Sequence, residues 1–231
     1  MKLQNLIKES AEELRERPSL FAPKIFTSLI GSLWMLFLLH ATETMNMTQM
    51  LTGLAFFPLI FFLGVLSPVI VAEMIKNSSG LKKALTDTLH YTPKLLLTSL
   101  VLIITLTASL LPAYAGLGIY LLTGNPLLLI IGLPLTLVSS GILIYGIYFL
   151  PITLTQNSAI NSFKESFKAS GENKREVSAL VLFSFILLGI AAATTGILEI
   201  LGAAGFVLGR MFSSIISTYT VTLSPKYYLE K

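Results

Sequence analysis

LLLTSLVLIITLTASLLPAY, residues 95–114, is a stretch of twenty residues without one charged side chain. It belongs to a longer stretch between Lys94 and Lys164 that contains no Asp, Glu, Lys or Arg. A helix needs about 20 mostly apolar residues to cross the hydrocarbon core of a bilayer. The stretch therefore predicts a membrane-spanning region rather than the core of a soluble domain.

The whole chain has the composition of an integral membrane protein. Hydrophobic residues make up 54% and charged residues 12% of the 231 positions, whereas a soluble domain has about 25% charged residues. The charges occur in clusters between uncharged runs, and the longest run is divided at the turn-forming sequence TGNP, residues 123–126. We predict an all-α polytopic protein with one membrane domain over residues 1–231. Its six predicted spans lie at about 24–40, 51–72, 94–115, 126–150, 177–198 and 203–223.

The basic residues predict the orientation of the chain. Lysines and arginines cluster in the N-terminal segment, in the connections after the second and fourth spans, and in the C-terminal tail. The other connections, around 41–50, 116–125 and 199–202, contain none. By the positive-inside rule, we expect a cell-membrane protein with both termini in the cytoplasm. Three lysines at the starts of spans are expected to anchor the chain to the anionic inner leaflet: Lys24, Lys94 and Lys174.

Three segments on the cytoplasmic side are predicted to be amphipathic helices. Their apolar residues recur at helical spacing, as Ile160, Phe163 and Phe167 do in the third. The first two are followed by matching sequences, APKIFTSLI (22–30) and TPKLLLTSL (92–100). The pattern predicts three repeat units, each an amphipathic helix followed by a transmembrane hairpin, at about 1–75, 76–156 and 157–231.

Two inner-face sequences, IVAEMIKNSSGLKKAL (70–85) and TLTQNSAINSFKESFKAS (153–170), each have a short polar helix after a predicted span. In this the chain resembles six-helix prokaryotic membrane proteins of the type of the membrane domain attached to some glycerophosphoryl diester phosphodiesterases. The resemblance covers the whole chain but concerns architecture alone, because that group has no invariant catalytic residue to match. Phosphodiesterase chemistry belongs there to a separate soluble domain, so the resemblance implies membrane association and no reaction.

The residues that enzymes and metal sites need are scarce in this chain. Asp87 is the only aspartate and there is no cysteine, which argues against carboxylate-rich metal sites and thiol chemistry. His40 and His90 fall on opposite sides of the membrane in the predicted topology, so they cannot share a zinc site. The net charge of +4 is explained by the basic inner connections and gives no indication of nucleic-acid binding. We predict no catalytic site, no metal and no cofactor.

Arg210 is the only basic residue outside the positive-inside pattern. It lies about 10 Å from the outer end of the predicted sixth span, at about 1.5 Å per residue. An unpaired arginine at the centre of a bilayer is costly. One interpretation is a structural ion pair with Glu199, at the tip of the last hairpin, or with Glu43 on another outer connection. The other is a positive site for an anionic headgroup or substrate in an outward-facing cavity.

Three classes of function remain open at this point. The first is a non-catalytic membrane protein that organises lipid or assists another protein, with membrane lipids as its partners. The second is the permease subunit of an ABC-type transporter that pairs with a separate cytoplasmic ATPase, although the chain has no diagnostic motif of such subunits. The third, an embedded enzyme, is disfavoured because no polar cluster is evident within the spans. We expect the first class.

Overall fold

The computed structural model describes residues 3–230, apart from the side chain of Leu128, and this range is almost entirely helical. It contains no β-strand, so the predicted all-α class is confirmed for the described residues. Single turns of 3-10 helix at Pro18–Phe21 and Glu199–Leu201 connect longer elements. The eleven α-helices of residues 3–230 are α1 (Leu3–Glu16), α2 (Ala22–Glu43), α3 (Met47–Ala55), α4 (Phe57–Lys76), α5 (Leu81–Leu89), α6 (Thr92–Thr123), α7 (Leu127–Gly146), α8 (Leu150–Leu154), α9 (Ala159–Glu172), α10 (Lys174–Leu198) and α11 (Gly202–Leu229).

Long apolar helices give the chain the character of a membrane protein, as predicted. The fifth apolar stretch, of 56 residues, contains two helices, α10 and α11, on either side of a 3-10 turn. The five stretches within the described residues that are long and apolar enough to cross a membrane are Pro18–Glu43, Met47–Lys76, Thr92–Thr123, Leu129–Gly146 and Lys174–Leu229.

Proline and glycine explain where the helices differ from the predicted spans. The span predicted at 51–72 is divided between α3 and α4, because Pro58 donates no backbone hydrogen bond and suits the first turn of a new helix. The span predicted at 94–115 continues as α6 until Gly124, whose left-handed conformation (φ 68°) ends the helix. The span predicted at 126–150 is divided between α7 and the short helix α8.

Helix α11 is the central element of the bundle, and α1, α2, α4 and α10 all pack against it. The α10–α11 hairpin is closed by Thr195, whose hydroxyl donates to the Gly209 carbonyl at 3.0 Å, and by Ser213, which donates back to α10. On another side of α11, the Ser28 hydroxyl of α2 donates to the Arg210 carbonyl at 2.8 Å. Small and hydroxyl residues of this kind let helices approach closely in a membrane.

The buried core lies at the end of the bundle that holds both ends of the described chain. Nearly every residue from 66 to 75, in the second half of α4, is buried, and this segment packs with α8 and the first turns of α6. Helix α1 docks on the last turns of α11, where the Tyr219 hydroxyl donates to the Ile7 carbonyl at 2.9 Å. Towards the opposite end the long helices expose many large apolar side chains, which suits contact with lipid.

The short helices α1, α5 and α9 each pack one face on the bundle. In α9 the side chains buried against the bundle are serines and alanines, whereas Ile160 and Phe167, on the predicted apolar face, are exposed. The buried serines form hydrogen bonds. The hydroxyls of Ser166 and Ser170 donate to carbonyls at the end of α7, at 2.7 and 2.9 Å, and so satisfy groups that a helix terminus leaves unpaired.

Helices α6 and α7 form a hairpin in which hydroxyl groups of α7 bond to the backbone of α6 next to a proline. Pro112 lies inside α6, where it removes one backbone donor and crowds the preceding turn. Next to it, the Ala113 N–H donates to the Thr136 hydroxyl of α7 at 2.9 Å. The Ser139 hydroxyl of α7 donates in turn to the Ser109 carbonyl at 2.8 Å. Neighbouring hydroxyl side chains that bond to the backbone make prolines tolerable in membrane helices.

Candidate functional site

A polar cavity of about 500 Å³ lies beside α11, between α2 and α10. Its lining includes two cations, one carboxylate and six hydroxyl groups. Such a lining is unexpected among helices that otherwise expose apolar side chains. The polar lining residues are Lys24, Thr27 and Ser28 of α2, Thr195 and Glu199 of α10 and the following turn, and Arg210, Ser213, Ser214 and Ser217 of α11.

The two cations enter the cavity from adjacent helices. Ser28 is bonded to the backbone of Arg210, and Lys24 lies four residues before Ser28. The backbones of Lys24 and Arg210 therefore differ in depth by about one helical turn, roughly 6 Å. The Arg210 guanidinium lies 5.3 Å from the centre of the Phe206 ring, which is one turn closer to the Glu199 end of the cavity. The cavity thus has positive charge at two depths.

Most of the hydroxyl groups in this cavity already donate to helix backbones. Thr27 donates to the Pro23 carbonyl at 2.9 Å, and Ser214 to the Met211 carbonyl at 2.6 Å. Together with the bonds between helices described above, these contacts give the hydroxyls a structural role. The hydroxyl oxygens still make the cavity wall polar, which lowers the cost of holding a charged group there.

The charged side chains of the cavity are not neutralised by one another. Within residues 3–230, none of Lys24, Glu199 and Arg210 takes part in an ion pair shorter than 4.0 Å. The Arg210 guanidinium lies over the ring of Phe206, a cation–π contact that neutralises no charge. The cavity is therefore a polar space with an excess of positive charge that its own carboxylate does not balance.

The structure brings Arg210 and Glu199 to one cavity but forms no ion pair between them. Glu43, the second predicted partner, lies exposed in the last turn of α2 and does not line the cavity. The structural ion pair predicted for Arg210 is therefore absent from the described residues. The alternative, a positive site for an anionic group, stays a prediction.

The three predicted lysine anchors have different surroundings. Lys24 is half-buried and lines the cavity. The Lys94 ammonium donates to the Leu154 carbonyl and, at 2.8 Å, to the Asn157 carbonyl, so it caps the end of α8. Lys174 is exposed at the first residue of α10. Contact of these lysines with anionic headgroups stays a prediction, but only Lys174 has its side chain free of the bundle.

The sequence of α11 itself contains a signal for this cavity. Arg210, Ser213, Ser214 and Ser217 are spaced as one face of a helix, and this face lies within an apolar stretch. A polar face on a membrane helix predicts contact with another helix or with a water-filled cavity. No comparable pattern in the sequence indicated that Lys24 lines the cavity, since its position is that of an ordinary lysine at the membrane interface.

No group of three or more His, Asp or Glu side chains within residues 3–230 is placed to hold a metal ion. The cavity itself contains a single carboxylate, Glu199. Hard cations such as Ca²⁺ and Mg²⁺ require several oxygen ligands, usually with more than one carboxylate. The described lining of the cavity therefore does not have the ligand set that such a cation requires.

Comparison with known proteins gives a family but no activity. The chain matches no curated protein. It matches no solved structure either. A family model described as "Domain of unknown function (DUF7847)" matches residues 1–227, which is almost the whole chain. The chain therefore belongs to the DUF7847 family.

Proposed function

We propose that this protein is a non-catalytic, multi-pass membrane protein that binds an anionic lipid headgroup in the cavity between α2, α10 and α11. The observation that carries the proposal is the presence in one cavity of two cations, Lys24 and Arg210, without an ion-pair partner among the described residues. By binding lipid in this way the protein organises lipid in the membrane or assists another membrane protein.

The physical argument concerns the cost of an unpaired charge near lipid. A charged side chain inside a bilayer is unfavourable unless it meets a partner, reaches the interface or lines a polar cavity. A phosphate group satisfies an arginine well, because the planar guanidinium can donate two parallel hydrogen bonds to it. A lipid has the further advantage that its acyl chains can lie against the exposed apolar surface of the helices that flank the cavity, such as Leu188 of α10.

The proposal includes a topology in which six spans cross the plasma membrane and both termini lie in the cytoplasm. In its support, α10 and α11 are each longer than 20 residues, and each of the short helices α1, α5 and α9 precedes a pair of long helices. That order fits three units at about 1–75, 76–156 and 157–231. The similarity to the membrane domain of some glycerophosphoryl diester phosphodiesterases is likewise retained as a proposal about architecture.

Lipid titration tests the proposed function. Dioctanoyl phosphatidylglycerol and dioctanoyl phosphatidylcholine are titrated into the purified protein in detergent, and binding is followed by calorimetry. We expect the anionic lipid to bind more tightly and Arg210→Gln to weaken its binding roughly 10- to 100-fold, since hydrogen bonds to charged groups contribute about 1.5–3 kcal/mol. Lys24→Gln is expected to weaken it in the same direction.

Lys82→Gln is the matched control, because Lys82 is an exposed lysine of α5 that does not line the cavity. This variant should bind phosphatidylglycerol as the wild type does. Equal affinity for the two lipids, or unchanged phosphatidylglycerol binding by Arg210→Gln, would refute the proposal.

A further inference from the structure

The polar cavity between α2, α10 and α11 is elongated along the helices. It is lined on α10 from Leu188 to Glu199 and on α11 from Arg210 to Ser217. At about 1.5 Å per residue, the distance from residue 188 to residue 199 corresponds to roughly 16 Å. This is about half of the ~30 Å hydrocarbon core of a bilayer. The cavity is therefore long enough to offer a headgroup polar contacts at several depths.

The α10–α11 hairpin is shorter than α2 at the end where it turns. Ser28 of α2 bonds to the Arg210 backbone, so the two residues lie at the same level. Phe21 lines a neighbouring groove together with Ile215, so α2 and α11 run in opposite directions. Beyond the level of Arg210, α2 continues for about 22 Å, whereas α11 has its first residue only about 12 Å away. A bilayer is locally thinner beside a short segment, which shortens the path of a headgroup.

The side of the cavity is accessible to lipid chains. Leu208, Phe212 and Ile215 of α11 are exposed apolar residues next to the polar face of that helix, and Leu188 of α10 is exposed as well. Arg210 itself is exposed. A phospholipid can therefore keep its acyl chains against these apolar side chains while its headgroup stays in the polar cavity. An ionised phosphate that crosses without polar contacts pays the large cost of leaving water.

The two cations of the cavity lie at successive levels. Arg210 is about 12 Å from the first residue of α11, and the backbone of Lys24 lies roughly 6 Å deeper. Between these levels the wall includes the hydroxyls of Ser213 and Ser214. In the proposed topology Lys24 is close to the cytoplasmic end of its span, where the inner headgroups begin. A phosphate that leaves Arg210 thus meets a second cation before it loses contact with polar groups.

We propose that the polar cavity lets phospholipid headgroups cross the membrane, so that the protein exchanges phospholipids between the two leaflets. The inference rests on the proposed function, because a headgroup that does not bind in the cavity cannot cross through it. Binding alone requires charge at one level. Cations at two levels, hydroxyls between them and a shortened hairpin favour passage. The exchange runs in both directions and needs no energy source, since no bond forms or breaks.

Dithionite bleaching measures the exchange in vesicles of phosphatidylcholine and phosphatidylglycerol that contain the full-length protein. The vesicles include a trace of phosphatidylglycerol that carries nitrobenzoxadiazole on an acyl chain. Dithionite added outside bleaches only the outer-leaflet probe of protein-free vesicles. With the protein present, we expect the inner-leaflet probe to be bleached as well. Bleaching that stops at the outer-leaflet probe would overturn the proposal.

An enclosed soluble dye shows whether dithionite itself enters the vesicles. Glucose labelled with nitrobenzoxadiazole is trapped inside vesicles that contain the protein, and dithionite is again added outside. We expect the trapped dye to stay fluorescent while the lipid probe is bleached. Bleaching of both at the same rate would overturn the proposal, because the cavity would then conduct a small anion instead of moving lipid.

Variants of two lining residues make the test specific. Arg210→Gln should slow the exchange roughly 10- to 100-fold, because the headgroup loses its first charged partner. Ser217→Leu places an apolar side chain at the inner end of the cavity and should slow exchange roughly fivefold or more, whereas Ser217→Thr keeps the hydroxyl and should retain it. Lys82→Gln, outside the cavity, is the control. Wild-type rates in both Arg210→Gln and Ser217→Leu would contradict the proposal.

Calorimetry with phosphatidylglycerol, as described above, separates failure of this inference from failure of the proposed function. A protein that binds phosphatidylglycerol in detergent but does not exchange it in vesicles overturns the exchange and leaves the binding site in place. A protein that does neither overturns the proposed function as well. Binding together with exchange, both weakened by Arg210→Gln, is the result we expect.

Discussion

At the scale of single residues, glycines decide how closely the helices of this bundle approach. A Cβ atom on Gly132 of α7 would lie 2.4 Å from the backbone oxygen of Pro112 in α6. Backbone cannot yield as a flexible side chain can, so this contact requires glycine. By contrast, a Cβ atom on Gly141 of the same helix would meet no atom within 4 Å. Position 132 therefore has no room for a side chain, whereas position 141 does, although both are glycines of α7.

We predict that Gly132→Ala destabilises the protein by about 1–3 kcal/mol, because the added methyl group forces α6 and α7 apart. Gly141→Ala should be neutral or slightly stabilising, since alanine favours a helix by up to about 1 kcal/mol over glycine. Thermal unfolding in detergent measures both variants. Equal stability of the two would show that α6 and α7 do not pack as described.

The residue scale also shows what the sequence could and could not predict about the polar cavity. The odd position of Arg210 was visible, because a single arginine stood outside the positive-inside pattern. The alignment of α2 with α11 was not visible, since it depends on contacts such as that of Ser28 with the Arg210 backbone. Sequence reasoning therefore paired Arg210 with carboxylates of the outer connections and assigned Lys24 to the inner interface.

At the scale of helices, hydrogen bonds between elements compensate for interrupted backbones. The α6–α7 hairpin does so around Pro112 through Thr136 and Ser139. Helix α9 does so for the end of α7 with its serines. Sequence periodicity predicted that these helices exist, but periodicity weighs apolar residues only. It placed Ile160 and Phe167 on one apolar face of α9, but it gave no indication that hydrogen bonding would bury the serines of another face.

Thr136→Val is predicted to destabilise the hairpin by about 0.6–1.7 kcal/mol, which extends from the average to the largest value measured for hydrogen bonds between membrane helices. In a Pro112→Ala background the Ala113 N–H can return to the helix ladder, so the same substitution should there cost close to nothing. Thr194→Val is the control, because the Thr194 hydroxyl bonds only within its own helix. Equal costs of Thr136→Val in both backgrounds, from unfolding in mixed micelles, would refute the compensation.

Docking of α1 depends on Arg17, which follows the helix directly. Its guanidinium donates to the Met74 carbonyl at 3.0 Å, to the Ser79 carbonyl at 2.7 Å and to Glu13 at 2.8 Å. We predict that Arg17→Gln raises amide hydrogen exchange in residues 3–16 by roughly tenfold or more, since charged hydrogen bonds contribute about 1.5–3 kcal/mol. Arg15→Gln, at an exposed position, should leave exchange unchanged. Equal exchange in the two variants would contradict this role.

At the scale of the whole molecule, the bundle is packed unevenly along its length. Its buried core lies at the end where α1, α5, α8 and α9 gather, while the opposite ends of α6 and α7 expose apolar residues. The membrane character of the chain and its all-α class were predictable, because uncharged runs of spanning length leave few alternatives. Which helices meet was not predictable, since lipid-facing and helix-facing apolar residues look alike in sequence.

The proposed topology can be mapped with single cysteines, because the natural chain has none. We predict that Thr44→Cys, Asn125→Cys and Ile200→Cys react with a membrane-impermeant maleimide in intact cells. Lys82→Cys and Lys168→Cys should react only after the membrane is permeabilised. The natural chain is the control for labelling of other groups. Labelling of Lys82→Cys in intact cells, or protection of Ile200→Cys, would rule out six spans with both termini inside.

Native mass spectrometry of the protein, purified gently from its own membrane, tests the central claim most directly. The account predicts that the wild-type protein retains anionic lipid, and that Arg210→Gln retains much less of it under the same conditions. Arg175→Gln, an exposed arginine at the start of α10, should retain as much as the wild type. A stoichiometric ATPase subunit in place of lipid would make the protein a permease subunit. That result, or equal retention of lipid by wild type and Arg210→Gln, would contradict the account.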